Sequence, residues 1–118
     1  MTKACFVLLA DTDSHEAMGR MANALTSAKE FADAGDEAAV IFDGAGTKWV
    51  PELESEEQRY HRLYSELADQ IVGACSYCAA AFGVKDQIEA SRVRLLTDYR
   101  GHPSLHKFAA AGYQIITF

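Results

Sequence analysis

Runs of consecutive apolar residues alternate along the chain with stretches in which apolar positions recur every three or four residues. Ala4-Cys5-Phe6-Val7-Leu8-Leu9-Ala10 is uninterrupted, as expected of a strand covered on both faces. Asp13 and Glu16 then make a capping-box pair, and Met18, Met21, Ala22, Leu25, Ala28 and Ala32 follow at helical spacing up to Gly35. Ala38-Ala39-Val40-Ile41-Phe42 predicts a second strand, closing on Asp43-Gly44-Ala45-Gly46-Thr47. Lys48 to Glu54 reads as a loop with Pro51 as its breaker. Ser55 and Gln58 form a second capping-box pair, opening a helix with Tyr60, Leu63, Tyr64 and Leu67 on one face.

Gln70 to Ala74 predicts the third strand, followed by a cysteine-bearing turn and a short helix that ends near Gly83. Val84 to Ser91 is ambiguous and fits a partial helix. Val93 to Leu96 predicts the fourth strand and runs into Thr97-Asp98-Tyr99-Arg100-Gly101-His102. Pro103 suits the first position of a final helix through Leu105, Phe108 and Ala109, stopped by Gly112, and Tyr113 to Phe118 closes the chain as a fifth strand. The alternation predicts an α/β fold: one three-layer α/β/α domain over residues 1–118 with a five-stranded, mostly parallel sheet. In such sheets the loops after the carboxyl ends of the strands share one edge, and sites form there. Asp11 to Asp13, Asp43 to Thr47, Cys75 to Cys78 and Tyr99 to His102 all fall on that edge.

Composition narrows the function. With 118 residues, 49% apolar and 24% charged, the chain can bury one ordinary core without staples. Eleven Lys and Arg against 17 Asp and Glu leave a net charge of −6, which argues against a nucleic-acid groove. The apolar run from Ala4 to Ala10 is too short to span a bilayer, so no membrane association is expected. Three cysteines, an odd and low count, fit reduced thiols in a cytoplasmic protein.

The chemistry concentrates at Cys75 and Cys78, three residues apart where a strand turns into a helix. A sulfur at that turn faces the partial positive charge of the helix terminus, which predicts a thiolate at Cys75. Thiolate is the form that attacks sulfur, accepts sulfur or binds metal. Cys78 reads as a resolving thiol, a second carrier or a packed side chain, whereas Cys5 sits inside a strand and reads as core. His102 is either a turn residue at the cap of the last helix or a donor or cation beside the sulfur. Asp43, Gly44 and Tyr99 share the sheet edge with the cysteines as candidate substrate-binding residues.

Other readings are weaker. Cys75-x2-Cys78 with His102-x3-His106 has zinc-like local spacing, but 23 residues holding a strand intervene and a core of this size needs no metal to fold. No metal is therefore expected, and His106 is placed on the solvated face of the last helix. Gly44 and Gly46 lack a GxGxxG context and read as tight-turn residues shaping the loop opposite the cysteines rather than as a phosphate cradle. Trp49, in a loop, marks either a subunit contact or simple loop packing. Thioredoxin-like exchange would place CxxC after the first long strand, facing a cis-proline; here it follows the third strand, and the prolines are Pro51 and Pro103.

The chain resembles the DsrE-like sulfur-relay family, including its TusD-type and YchN-type members, over essentially its whole length. The resemblance rests on the opening strand and long helix, on Phe42-Asp43-Gly44-Ala45-Gly46, and on the run from Ala74-Cys75 to Gly83-Val84. Counting back from Gly83-Val84, Cys75 stands where that family keeps its sulfur-accepting cysteine, and Cys78 matches a second cysteine of some members. Phe82 stands where many members carry a basic residue. The resemblance implies a cytoplasmic homotrimer or homohexamer that takes persulfide sulfur from a donor protein and yields it to an acceptor protein, with no metal or organic cofactor. The competing functions are a non-catalytic interaction or small-ligand-binding oligomer subunit, and a CxxC thiol-disulfide oxidoreductase.

Overall fold

The computed structural model describes residues 1–118. Five strands form one sheet: β1 (Lys3–Leu8), β2 (Glu37–Phe42), β3 (Ile71–Cys75), β4 (Leu95–Leu96) and β5 (Gln114–Thr117). Their order is β4-β3-β2-β1-β5, and every neighbouring pair is parallel. The helices between them are α1 (His15–Asp33), α2 (Trp49–Glu54), α3 (His61–Glu66), α4 (Ser76–Ala81), α5 (Lys85–Glu89) and α6 (Leu105–Ala110).

Strand alternation divides the core in two. Ala4, Phe6 and Leu8 of β1, with Val40 and Phe42 of β2, face a large cluster completed by Met21, Leu25, Trp49, Leu53, Tyr64, Ala79 and Ile88. Helices α1 to α5 all supply that face. Cys5, Val7, Ala39 and Ile41 point the other way, where α6 is the only helix packed against them, through Leu105 and Phe108. The three layers are real but unequal.

Several boundaries differ from the sequence expectation for local reasons. The first helix starts from Ser14, whose hydroxyl accepts the Ala17 N–H, and not from Asp13. Lys48 to Glu54 is no loop: residues Gly44–Lys48 form a 3-10 turn that runs directly into α2. Pro51 is tolerated because it lies in the first turn of α2, where backbone N–H groups have no intrahelical acceptor. Ser55 and Gln58 cap turns instead of a helix, and α3 begins only at His61. Pro103 precedes α6, and Ser104 is its N-cap, accepting the Lys107 N–H, so His102 is not the capping residue.

Trp49 is neither loop-exposed nor available for a subunit contact. It is 2% exposed, and its indole N–H donates to the carbonyls of Ala10 and Asp11 at 3.0 Å each. This pins the loop after β1 to the loop after β2. Gly46 completes the junction, since a Cβ there would lie 2.0 Å from the Leu8 carbonyl oxygen. Close approach, and not a tight turn, fixes glycine at this position.

Candidate functional site

Four side chains meet at the carboxyl edge of the sheet. Asp43 follows β2, Cys75 ends β3, Cys78 lies in the first turn of α4, and His102 closes the turn after β4. One donor atom from each falls within 4.8 Å of the others. The Cys75 sulfur caps α4 by accepting the Cys78 N–H at 3.2 Å, lies 3.3 Å from His102 Nδ1, and points its thiol toward the Gly101 carbonyl at 3.9 Å. The Cys78 thiol donates to Asp43 Oδ1 at 3.4 Å, the same oxygen that accepts the Gly44 N–H. No disulfide joins the cysteines; all three in the chain are free.

The glycines next to this cluster have separate tasks. Gly44 has a positive φ of 54°, which lets the chain turn sharply enough for Asp43 to cap the 3-10 turn. Gly73 in β3 lets β4 approach: a Cβ would lie 2.5 Å from the Arg94 carbonyl oxygen and 2.7 Å from Leu96 Cγ. That approach brings the chain after β4 close enough for His102 to reach the strand-end sulfur.

His102 is held by a tight turn. Tyr99 and His102 exchange both backbone hydrogen bonds at 2.8 Å, and the central residues Arg100 and Gly101 have φ of 51° and 82°. Two positive φ values in succession are the pattern of a type I′ turn. Gly101 then accepts the Tyr77 N–H at 2.9 Å, tying this turn to the start of α4. The Tyr77 ring packs on the His102 ring at 4.8 Å between centroids, a contact not evident from the sequence. Its only sequence signal was an aromatic lodged between the two cysteines.

The remaining predicted positions separate. Tyr99 contributes backbone to the turn, while its exposed ring borders a groove of about 290 Å³ with Pro103, Ser104, Leu105 and His106. A cavity of about 300 Å³ bordered by Thr12, Lys48, Pro51, Glu52, Ser55 and Val84 also excludes the thiols. The cysteine cluster is thus a packed junction and not the floor of a pocket. Cys75 has no exposed surface, whereas Cys78 is half-buried.

The surroundings of Cys75 work against the thiolate that the helix terminus alone would favour. Burial pushes its thiol up to about 12, helped by the side chain of Cys78 and the charge of Asp43. The Cys78 N–H at the helix start acts in the opposite direction, but it is outweighed. Cys5, enclosed by the second cluster, is raised by desolvation alone.

Fold and site together define an all-parallel α/β protein in which a strand-end cysteine stands beside a second thiol, a carboxylate and an imidazole. The DsrE/DsrF-like family matches residues 3–118, and the chain belongs to that family. An uncharacterized protein of Methanocaldococcus jannaschii is 34% identical over 96 residues, covering 81% of this chain and 78% of the relative. A conserved protein of unknown function from Bacteroides thetaiotaomicron shares the fold, with a TM-score of 0.58 at 19% identity over 97% of this chain and 94% of that one. No helix is long and apolar enough to cross a membrane.

Proposed function

We propose that the protein is a sulfur-relay carrier that holds persulfide sulfur on Cys75. Family membership supports a sulfur-relay role in general terms. The observation that carries the specific reading is the placement of the Cys75 sulfur between His102 Nδ1 and the Cys78 N–H, at 3.3 and 3.2 Å. Both groups can donate to a sulfur anion. A persulfide is more acidic than its parent thiol, so the burial that keeps the idle thiol protonated weighs less on the loaded form.

Loading is a nucleophilic displacement. Cys75, as its thiolate, attacks the outer sulfur of a donor persulfide; the new S–S bond forms as the donor's S–S bond breaks, and the donor leaves as thiolate. Unloading repeats the step with an acceptor thiolate attacking the outer sulfur of Cys75. His102 takes the Cys75 proton during loading and returns it after unloading. Because Cys75 is covered, loading requires the His102 ring, with the Tyr77 ring packed on it, to move off the sulfur. Cys78 can also end the cycle by attacking the inner sulfur, giving a Cys75–Cys78 disulfide and releasing hydrosulfide.

The donor and acceptor are proteins in this reading, and the working state is a homotrimer or homohexamer in the cytoplasm. Leu9, Tyr77, Phe82 and Tyr99 are exposed large apolar residues and supply surface for such contacts. Incubation with a small-molecule persulfide followed by mass spectrometry should show one added sulfur on Cys75. No gain, or an equal gain in Cys75→Ser, removes the proposal.

A second reading, a non-catalytic interaction subunit, draws on one contrast. Cys75 is wholly buried while Tyr77 and Tyr99 are 62% and 63% exposed. Under it, Cys75→Ala with Cys78→Ala, its fold checked by circular dichroism, would leave self-assembly and partner capture unchanged.

A further inference from the structure

We infer that Asp43, Cys75, Cys78 and His102 form a four-donor site for a thiophilic divalent cation, with zinc as the best fit. Two thiol sulfurs, one imidazole nitrogen and one carboxylate oxygen are the ligand types that zinc takes. With bonds of about 2.0–2.3 Å, a tetrahedral zinc holds its donors at edges of roughly 3.3–3.8 Å. Two edges of that tetrahedron are already set: Cys75 Sγ to His102 Nδ1 at 3.3 Å, and Cys78 Sγ to Asp43 Oδ1 at 3.4 Å. No pair of donor atoms is more than 4.8 Å apart, so closing on a central ion needs movements of about an ångström or less.

The scaffold makes this arrangement more than chance crowding. The ligands come from the ends of two adjacent strands, the first turn of α4 and a turn with two positive φ residues, so backbone geometry fixes each Cβ. The cluster also gathers three groups of negative or potentially negative charge, which a cation would relieve. It differs from the zinc-like spacing read in the sequence, because Asp43 takes the place given there to His106. His106 is exposed and stands outside the cluster.

Binding is redox-neutral: each thiol gives up its proton, two sulfur–metal bonds form, and about two protons leave per ion. The site stands independently of sulfur transfer. If the relay reading holds, zinc and sulfane sulfur compete for Cys75, and the loaded metal is a closed resting form.

The test uses the full chain, reduced and freed of metal by chelation, titrated with cobalt(II) in the absence of any persulfide. One equivalent should produce a sulfur-to-cobalt charge-transfer band in the near ultraviolet and the strong visible bands of tetrahedral cobalt. Zinc should then displace it. Cys75→Ser and Cys78→Ser should lose most of the charge-transfer intensity, and Asp43→Asn should weaken binding at least tenfold while keeping that band. His106→Ala should bind as the parent chain does, with the fold of every variant checked by circular dichroism. Absence of the band in the parent chain overturns the proposal, and so does an octahedral cobalt spectrum. A spectrum that survives loss of both cysteines overturns it equally. Sulfur loading is assayed separately in chelator, so its failure leaves the metal result standing, and the reverse.

Discussion

Replacing Cys75 with alanine should flatten the alkaline limb of the stability profile. In the unfolded chain the thiol ionises with its ordinary value of 9.0, whereas the fold holds it at about 12. The folded value is the raised one, so the folded state keeps the proton longer. The stabilisation is therefore complete below pH 9.0 and is lost as pH rises toward the folded value. Between about pH 8 and about pH 10 only the unfolded thiol ionises appreciably, which removes about 1.4 kcal/mol of stability. The figure is insensitive to the folded value, because the buried thiol is still protonated at the upper end. Cys5, raised to about 11, should contribute a similar loss, giving roughly 3 kcal/mol for the two thiols.

Urea unfolding of the metal-free protein, followed by the fluorescence of its single tryptophan, measures this at each pH. The alanine variant will also lose packing energy, but that loss is the same at all pH values. Only the slope carries the ionisation. An unchanged slope in Cys75→Ala would refute the conclusion that the fold holds this thiol neutral.

Gly46→Ala should cost about 3 kcal/mol or more, seen as a large drop in melting temperature, because its Cβ would meet the Leu8 carbonyl at 2.0 Å. Gly19→Ala, in the exposed middle of α1 with nothing within 4 Å, should instead stabilise by about 0.5–1 kcal/mol. Trp49→Phe should cost about 1–2 kcal/mol in denaturant unfolding by removing the indole donor from the Ala10 and Asp11 carbonyls. Tyr77→Ala should speed alkylation of Cys75 at least tenfold, read by peptide mapping, while the global unfolding free energy changes little. An unaltered rate would show that the Tyr77 ring does not cover the sulfur.

The architecture was readable from the apolar runs because parallel strands buried on both faces leave little room for polar residues. Placement of the site followed from those runs, since every strand end lies on one edge. The failures share a physical origin. Pro51 looked like a breaker only while the preceding Gly44–Lys48 turn was unseen; once that turn exists, the proline falls at a position where its missing N–H is harmless. Asp13 and Ser14 are equally good cap types in sequence, and the structure uses Ser14, whose hydroxyl accepts the Ala17 N–H. The upward push on the Cys75 thiol comes first from burial, then from Cys78 and from the charge of Asp43, 32 positions earlier in the chain; burial and Asp43 are not visible in a CxxC motif. The Asp43–Cys78 contact likewise needs β2 and β3 to pair before it exists.

The unequal dressing of the sheet sets how a covered thiol is reached. Helix α6 has six residues, none fully buried, and it follows directly from the turn that carries His102. A segment anchored so lightly opens locally at a fraction of the free energy needed to unfold the whole domain. The frequency of that opening then sets how often the His102 ring, and the Tyr77 ring packed on it, move off Cys75. A docking protein that grips α6 could raise the frequency without touching either cysteine.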